Sequence, residues 1–237
     1  MTNELGKFYG IGVGPGDPDL LTLKAVKALK EAEVIFDVIG PNSKKSVSGG
    51  ILDALELTAK RLPLTFSMAH DYETRHQAIL ANAKIVAEKL KTGQVCAFAT
   101  IGDPMVYSTY IYLRNELLKM IPELKIETIP GITSFQAVAS KSETPLVEDC
   151  ETLCVVPAFS EANINDFPIE SADTIVFLKS YRTRNKIIDF LKSKDINFSA
   201  IYAARIGLDG EIICKNIDEI TALQDEYLSM LIVKIIK

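Results

Sequence analysis

The residues best able to do chemistry in this chain lie in three turns: Gly12-Val13-Gly14-Pro15-Gly16-Asp17-Pro18, Ile101-Gly102-Asp103-Pro104 and Pro130-Gly131-Ile132-Thr133-Ser134. Glycine lets a backbone approach a ligand closely and proline stiffens the turn, while Asp103, Thr133 and Ser134 add a carboxylate and two hydroxyls. Such groups suit a ligand held by backbone edges and hydroxyls. They equally suit ordinary strand-to-helix turns and helix caps, where the same residue types are common. The first turn departs from the phosphate-cradling patterns: its glycines fall at 10, 12, 14 and 16, and no Gly-Lys-Ser/Thr follows. Pro15 also removes an amide that a pyrophosphate would use, so a ligand without phosphates fits better.

Other chemistries are poorly supplied. The two histidines, His70 and His76, sit in a polar stretch with no partner at ligand spacing, so no metal site is expected. Cys96, Cys150, Cys154 and Cys214 form no Cys-x-x-Cys pair and are expected to be reduced, mostly buried thiols. No Ser/His/Asp or Cys/His constellation is present, and no catalytic residue is assigned. A formal net charge of -5 argues against a general nucleic-acid binder. It does not exclude a local basic pocket. No apolar run reaches the roughly 18 residues of a membrane span and the first residues lack a secretory pattern, so a cytoplasmic protein is expected.

Each turn needs a strand before it and a helix after it, and the apolar pattern supplies both. Residues 8–13, 95–99 and 125–129 read as buried strands, and residues 21–32, 110–120 and 135–140 as helices. Thr22 is placed to cap the first of these. Between them come a strand over 33–39, a polar loop over 40–50, a helix over 51–57, a short strand over 62–66 and a helix over 77–90. This alternation predicts a mainly parallel sheet covered on both faces, and such sheets bind ligands beyond the carboxyl ends of their strands. After Pro145 strands come more often, over 153–157, 174–178, 199–203, 211–214 and 228–236, with one clear helix over 183–193. The expected architecture is α/β in two domains, residues 1–130 with a mainly parallel sheet and residues 131–237 with a mixed one.

Taken jointly, in this order and spacing, the three turns and the segment Leu20-Leu21-Thr22-Leu23-Lys24-Ala25 resemble the tetrapyrrole methylase family. The resemblance implies use of S-adenosylmethionine, with S-adenosylhomocysteine as product, bound in a cleft between the two domains of each subunit of a homodimer. Within the family, Phe8-Tyr9-Gly10-Ile11, Met105-Val106-Tyr107-Ser108-Thr109-Tyr110, Phe135 and Val176-Phe177-Leu178-Lys179 resemble the subgroup that methylates C-20 of precorrin-2 or cobalt-factor II in cobalamin biosynthesis. By position, the resemblance implies cofactor contacts at Pro15, Ile101, Gly102, Asp103, Val106, Thr133 and Ser134, and at Leu178 and Ala204 from the second domain. For Tyr107, Ser108 and Thr109 a core or helix-start role is an equal alternative. The carboxylates of the substrate that the resemblance implies make Lys44, Lys45, Lys179, Arg182, Arg184 and Arg205 candidate anchors, with solvated surface charge as the alternative. One departure stands out: Asp37 falls one position before the Tyr-Asp aspartate of related uroporphyrinogen III methylases, so no catalytic aspartate is carried over. The alternatives are another activity of the family, on a different ring carbon, diphthine or ribosomal RNA, a nucleotide-binding protein, or a tetrapyrrole carrier.

Overall fold

Strands buried on both faces must be apolar throughout, and two segments of this chain are. In the computed structural model, which describes residues 4–40, 46–67, 69, 71–157 and 168–236, β1 (Phe8–Gly12) and β4 (Cys96–Thr100) are buried along their whole length. They lie in a five-stranded sheet with β2 (Val34–Ile39), β3 (Lys60–Thr65) and β5 (Ile126–Ile129), in the order β3-β2-β4-β1-β5. Every pairing in it is parallel, with Phe8 beside both Cys96 and Ile126. This sheet belongs to a compact unit, Met1–Thr133, and a second unit spans Ser134–Lys237.

Alternation along β1 sends Phe8 to one face and Tyr9 to the other. On the first face Phe8, Phe36 and Phe98 pack with α3 (Tyr72–Lys91) and α4 (Tyr110–Met120). On the second, Tyr9, Ile11 and Ile35 pack with α1 (Leu23–Glu31) and α2 (Val47–Leu52). The chains leaving the neighbouring strands β1 and β4 therefore diverge to opposite faces, the place where open parallel sheets bind ligands.

Caps fix where the helices begin. The Thr22 hydroxyl accepts from the Ala25 amide at 3.1 Å, as the sequence predicts, and Asp71 accepts from the Thr74 amide at 2.7 Å. The second cap starts α3 five residues before the expected position, making the charged stretch its first turn. A larger correction concerns residues 40–50, read as a polar loop: α2 begins at Val47, so Gly49 and Gly50 are helical. Ser46, accepting from the Gly49 amide at 2.9 Å, overrides the weak helix propensity of the two glycines.

The second unit carries the mixed sheet that the sequence predicts. Its strands are β6 (Leu153–Val156), β7 (Thr174–Leu178), β8 (Phe198–Ala204), β9 (Ile212–Cys214) and β10 (Ser229–Ile235), in the order β6-β7-β10-β8-β9. Only β6 and β7 run parallel. With them stand α5 (Ser134–Lys141), α6 (Arg184–Ser193) and an unforeseen α7 (Ile217–Ala222). Asn216 caps α7, and only Ile220 of its six residues is buried, too little apolar signal to read from sequence. The cysteines also need correction: Cys96 is buried, but Cys150 is exposed and Cys154 and Cys214 are half-buried. Burial pushes the Cys96 thiol up to about 12. Among the described residues no helix is long and apolar enough to cross a membrane.

An ion cluster spans the β1–β5 edge. Glu127 meets Lys24 and Lys7, each at 2.7 Å, and Lys7 also donates to the Tyr9 hydroxyl at 2.8 Å. The Lys24 and then the Lys7 hydrogen bonds hold the Glu127 carboxyl down to about 2 from an ordinary 4.5. A depressed carboxyl contributes stability that is present above its unfolded pKa and is lost as pH falls toward the folded one. The stability difference between wild type and Glu127→Gln should accordingly be present near neutrality and shrink between about pH 4.5 and pH 2. Urea unfolding at the two ends of that window checks it, and a difference independent of pH would contradict it.

Candidate active site

The three turns meet at the carboxyl ends of β1, β4 and β5. The Val13 amide donates to the Thr100 carbonyl at 2.9 Å, and beyond it Gly14 and Gly102 form an isolated antiparallel bridge. The Gly102 amide reaches the Gly14 carbonyl at 2.7 Å, and both glycines have positive φ, +69° and +80°. Gly12, Gly102 and Gly131 then pack backbone on backbone. A Cβ on Gly131 would stand 2.2 Å from the Gly102 carbonyl oxygen, and one on Gly12 would stand 2.6 Å from the Gly131 nitrogen. On its other side Gly102 faces open space, with no atom within 4 Å of where a Cβ would be.

Asp103 ties the arrangement together. Its Oδ1 accepts from the Met105 amide at 2.8 Å and its Oδ2 from the Gly131 amide at 3.0 Å. One oxygen thus shapes its own turn while the other holds the third turn against the second. The carboxylate serves the protein's own amides, which makes it a strut.

The residues that follow divide by role. Met105, Val106 and Tyr107 are exposed, with Tyr107 in the left-handed region at φ +50°. Ser108 is buried, 3.0 Å from the Thr100 hydroxyl, and accepts from the Tyr110 amide at 3.2 Å. Tyr110 is fully buried between Phe8 and Phe98, with its hydroxyl 2.7 Å from that of Thr128. Its ring fills the space that Gly10 leaves, since a Cβ there would stand 2.1 Å from the ring's Cζ. Ser108 and Tyr110 are therefore core and helix-start residues that hold the second turn in place. Pro15 and Thr133 are buried and Ile101 is half-buried, all at the same end of the sheet, and Ser134, the first residue of the second unit, is half-buried.

In the second unit, strand register brings Leu178 opposite Met230 and Ala204 opposite Ser229, so both stand at the start of β10. Each precedes a left-handed residue, Lys179 at φ +56° and Arg205 at φ +54°. The buried hydroxyls of Ser180 and Ser229, at this same end, have no hydrogen-bond partner among the described residues. Lys179 and Arg182 are exposed, and the Arg182 guanidinium lies 5.0 Å from the Tyr181 ring centre. Arg184 must be withdrawn as a candidate anchor. It is buried, pairs with Asp225 at 3.2 Å and donates to the Leu223 and Gln224 carbonyls, so its charge is used internally. The Arg205 Nε donates to the Asp209 carbonyl at 2.6 Å. Lys44 and Lys45 lie outside the described residues.

Sequence reasoning missed Arg61. Asp37, on β2, is buried and takes both the Arg61 Nη2 at 2.7 Å and the Nε at 3.3 Å, while Nη1 donates to Asp53. The signal was available: a charged residue inside an otherwise apolar strand needs a buried partner. Among the described residues no group of three or more His, Cys, Asp or Glu is placed to hold a metal.

Two α/β units, one of which gathers three glycine- and proline-rich turns at a single end of a parallel sheet, define an α/β protein with its turns placed where open parallel sheets bind ligands. The sequence matches the family model of the tetrapyrrole (corrin/porphyrin) methylases over residues 7–221, and the chain belongs to that family. It is 32% identical, over 99% of its length and 98% of the relative's, to a Methanocaldococcus jannaschii protein named "Probable cobalt-precorrin-2 C(20)-methyltransferase". It is 34% identical to a precorrin-2 C(20)-methyltransferase of Sinorhizobium over 85% of this chain and 84% of that one. Its fold matches uroporphyrin-III C-methyl transferase from Thermus thermophilus, solved in complex with S-adenyl homocysteine, with a TM-score of 0.67 and 23% identity over 97% of each chain.

Proposed function

We propose that the chain transfers a methyl group from S-adenosylmethionine to the C-20 meso carbon of precorrin-2 or of cobalt-factor II, in cobalamin biosynthesis. The observation that carries this reading is the similarity to two proteins bearing that activity in their names, at 32% and 34% identity over 99% and 85% of the chain.

S-adenosylmethionine supplies a methyl group activated on a sulfonium. It presents an ammonium, a carboxylate, a ribose and an adenine, and no phosphate. The donor set at the turns fits those groups: backbone edges at Gly14 and Gly102, the hydroxyls of Thr133 and Ser134, and open space over the bare Gly102 backbone. We assign cofactor contacts to Pro15, Ile101, Gly102, Val106, Thr133 and Ser134, with Asp103 acting through the turns it fixes. Leu178 and Ala204 are the contacts proposed for the second unit, at the end of the sheet where β10 starts. A meso carbon of a reduced tetrapyrrole is already nucleophilic, so alignment and exclusion of water are the protein's main tasks.

Lys179 and Arg182 are proposed to meet substrate carboxylates. Lys179→Gly is the cleaner charge removal, because its φ of +56° favours glycine. It should raise the KM for the tetrapyrrole roughly two- to fivefold, the size of an exposed ion pair, without loss of stability. Steady-state kinetics check it, and an unchanged KM removes Lys179 from the site. The resemblance also leads us to propose a homodimer, which sedimentation of the purified protein tests.

Mass spectrometry of the products from parallel incubations of metal-free precorrin-2 and cobalt-factor II with the cofactor tests the reaction. A gain of one methyl on either substrate supports it, and no gain on both refutes it. Thermal stabilisation by S-adenosylhomocysteine, and none by NAD or ATP, separates the reading from a nucleotide-binding protein, because only a ligand of the native state raises stability.

A further inference from the structure

Next to the three turns, the first unit carries a feature that the assigned contacts do not use. An open pocket of about 490 Å³ lies between β2, β3 and α2, lined by Asp37, Ser46, Gly49, Gly50, Asp53 and Arg61 among others. Asp37 sits beside Ala99 in the register of β2 and β4, two residues before Ile101. One strand spacing, about 4.8 Å, therefore separates the pocket's strand from the one that delivers the second turn.

The two halves of the Arg61 fork are unequal. Toward Asp37 it makes two hydrogen bonds to a carboxylate that is only 7% exposed, which fixes the guanidinium plane. Toward Asp53 it makes one, to a carboxylate that is 70% exposed. An exposed pair is weak and exchangeable, whereas a buried carboxylate with a single cation is not. Of the five N–H donors of a guanidinium, these contacts use three. The helix that walls the pocket carries two successive glycines, which weaken a helix. Gly49 leaves room for the fork, since a Cβ there would stand 2.3 Å from the Arg61 Nη2 and 2.7 Å from the Asp37 Oδ2 and would displace one or both. Gly50 has nothing within 4 Å of its Cβ position and leaves the pocket open.

We propose that Arg61 binds one peripheral carboxylate of the substrate in this pocket, and that Asp53 occupies the outer edge of the guanidinium until that carboxylate displaces it. The proposal rests on the reading of the chain as a tetrapyrrole methylase. Asp37 keeps the fork in place throughout, so Asp53 is a competitor for Arg61 and not its support.

This makes an unusual kinetic prediction. Asp53→Ala should lower the KM for the tetrapyrrole roughly two- to fivefold, as expected for loss of an exposed competing ion pair, with the Kd for S-adenosylhomocysteine unchanged. The paired variant Asp37→Asn with Arg61→Gln leaves no buried charge and should raise the same KM about tenfold or more, again with the Kd unchanged. A tetrapyrrole KM that is unchanged or raised in Asp53→Ala, or an altered Kd for S-adenosylhomocysteine, overturns the proposal, as does a wild-type KM in the paired variant. Should the paired variant fail to fold, the Asp53 result decides alone. Wild-type protein that methylates no tetrapyrrole refutes the functional reading, a result distinct from normal turnover with a KM insensitive to these changes.

Discussion

Gly131→Ala is expected to destabilise the first unit by about 3 kcal/mol, because the added methyl would have to enter packed backbone. Its Cβ would stand 2.2 Å from the Gly102 carbonyl and 2.7 Å from the Gly12 carbonyl carbon, and backbone atoms, unlike the end of a flexible side chain, have little freedom to withdraw. Gly102→Ala is the informative contrast. Nothing stands within 4 Å of that Cβ, so its stability cost is the left-handed strain at φ +69°, about 1 kcal/mol. If the open space over Gly102 receives the cofactor, this milder variant should nevertheless bind S-adenosylhomocysteine about tenfold or more weakly, as a new methyl fills the place of closest approach. Denaturant unfolding combined with calorimetric titration checks both halves. A Gly131 variant as stable as wild type, or a Gly102 variant of unchanged affinity, would contradict the geometry or the assignment respectively.

Asp103→Ala should have the largest effect on binding of any polar substitution at the turns. It deletes the acceptor of both the Met105 and the Gly131 amides, releasing the second turn from its own shape and the third turn from the second. Two hydrogen bonds to a half-exposed carboxylate are worth about 2 kcal/mol together, and much of that loss should appear as weakened cofactor affinity, because the turns would no longer be preorganised. Asp103→Asn, which retains one acceptor oxygen, should fall between Ala and wild type. Titration with S-adenosylhomocysteine reads the series. Equal affinity across all three proteins would mean that the turns are held by their glycine packing alone.

What could be read in the sequence follows how local the determining forces are. β1 and β4 were legible because burial on both faces demands unbroken apolar runs, and the three turns because glycine and proline mark strand ends. Their docking onto one another was not legible, since it depends on Cβ atoms that are missing at Gly12 and Gly131 and on an Asp103 contact spanning 28 residues. α2 was misplaced because two glycines mask a helix that Ser46 caps, and α7 was missed because it buries only Ile220. Arg61 was overlooked because β3 is a short edge strand in which Lys60, Arg61 and Pro63 dilute the apolar signal. Tyr110 stood out in the sequence for its place in the Tyr-Ser-Thr-Tyr segment, and its part in the fold is to fill the space left by Gly10. A side chain that supports a site from the core is hard to tell, from sequence, from one that lines it.

The most direct test of methyl transfer to C-20 uses S-adenosylmethionine labelled with carbon-13 in its methyl group. After incubation with precorrin-2 or cobalt-factor II, whichever is turned over, the carbon-13 spectrum of the isolated product should show a single labelled methyl attached to the C-20 meso carbon. Label on any other ring carbon would contradict the assignment while leaving the chain a methylase, and no label in either tetrapyrrole would contradict it altogether.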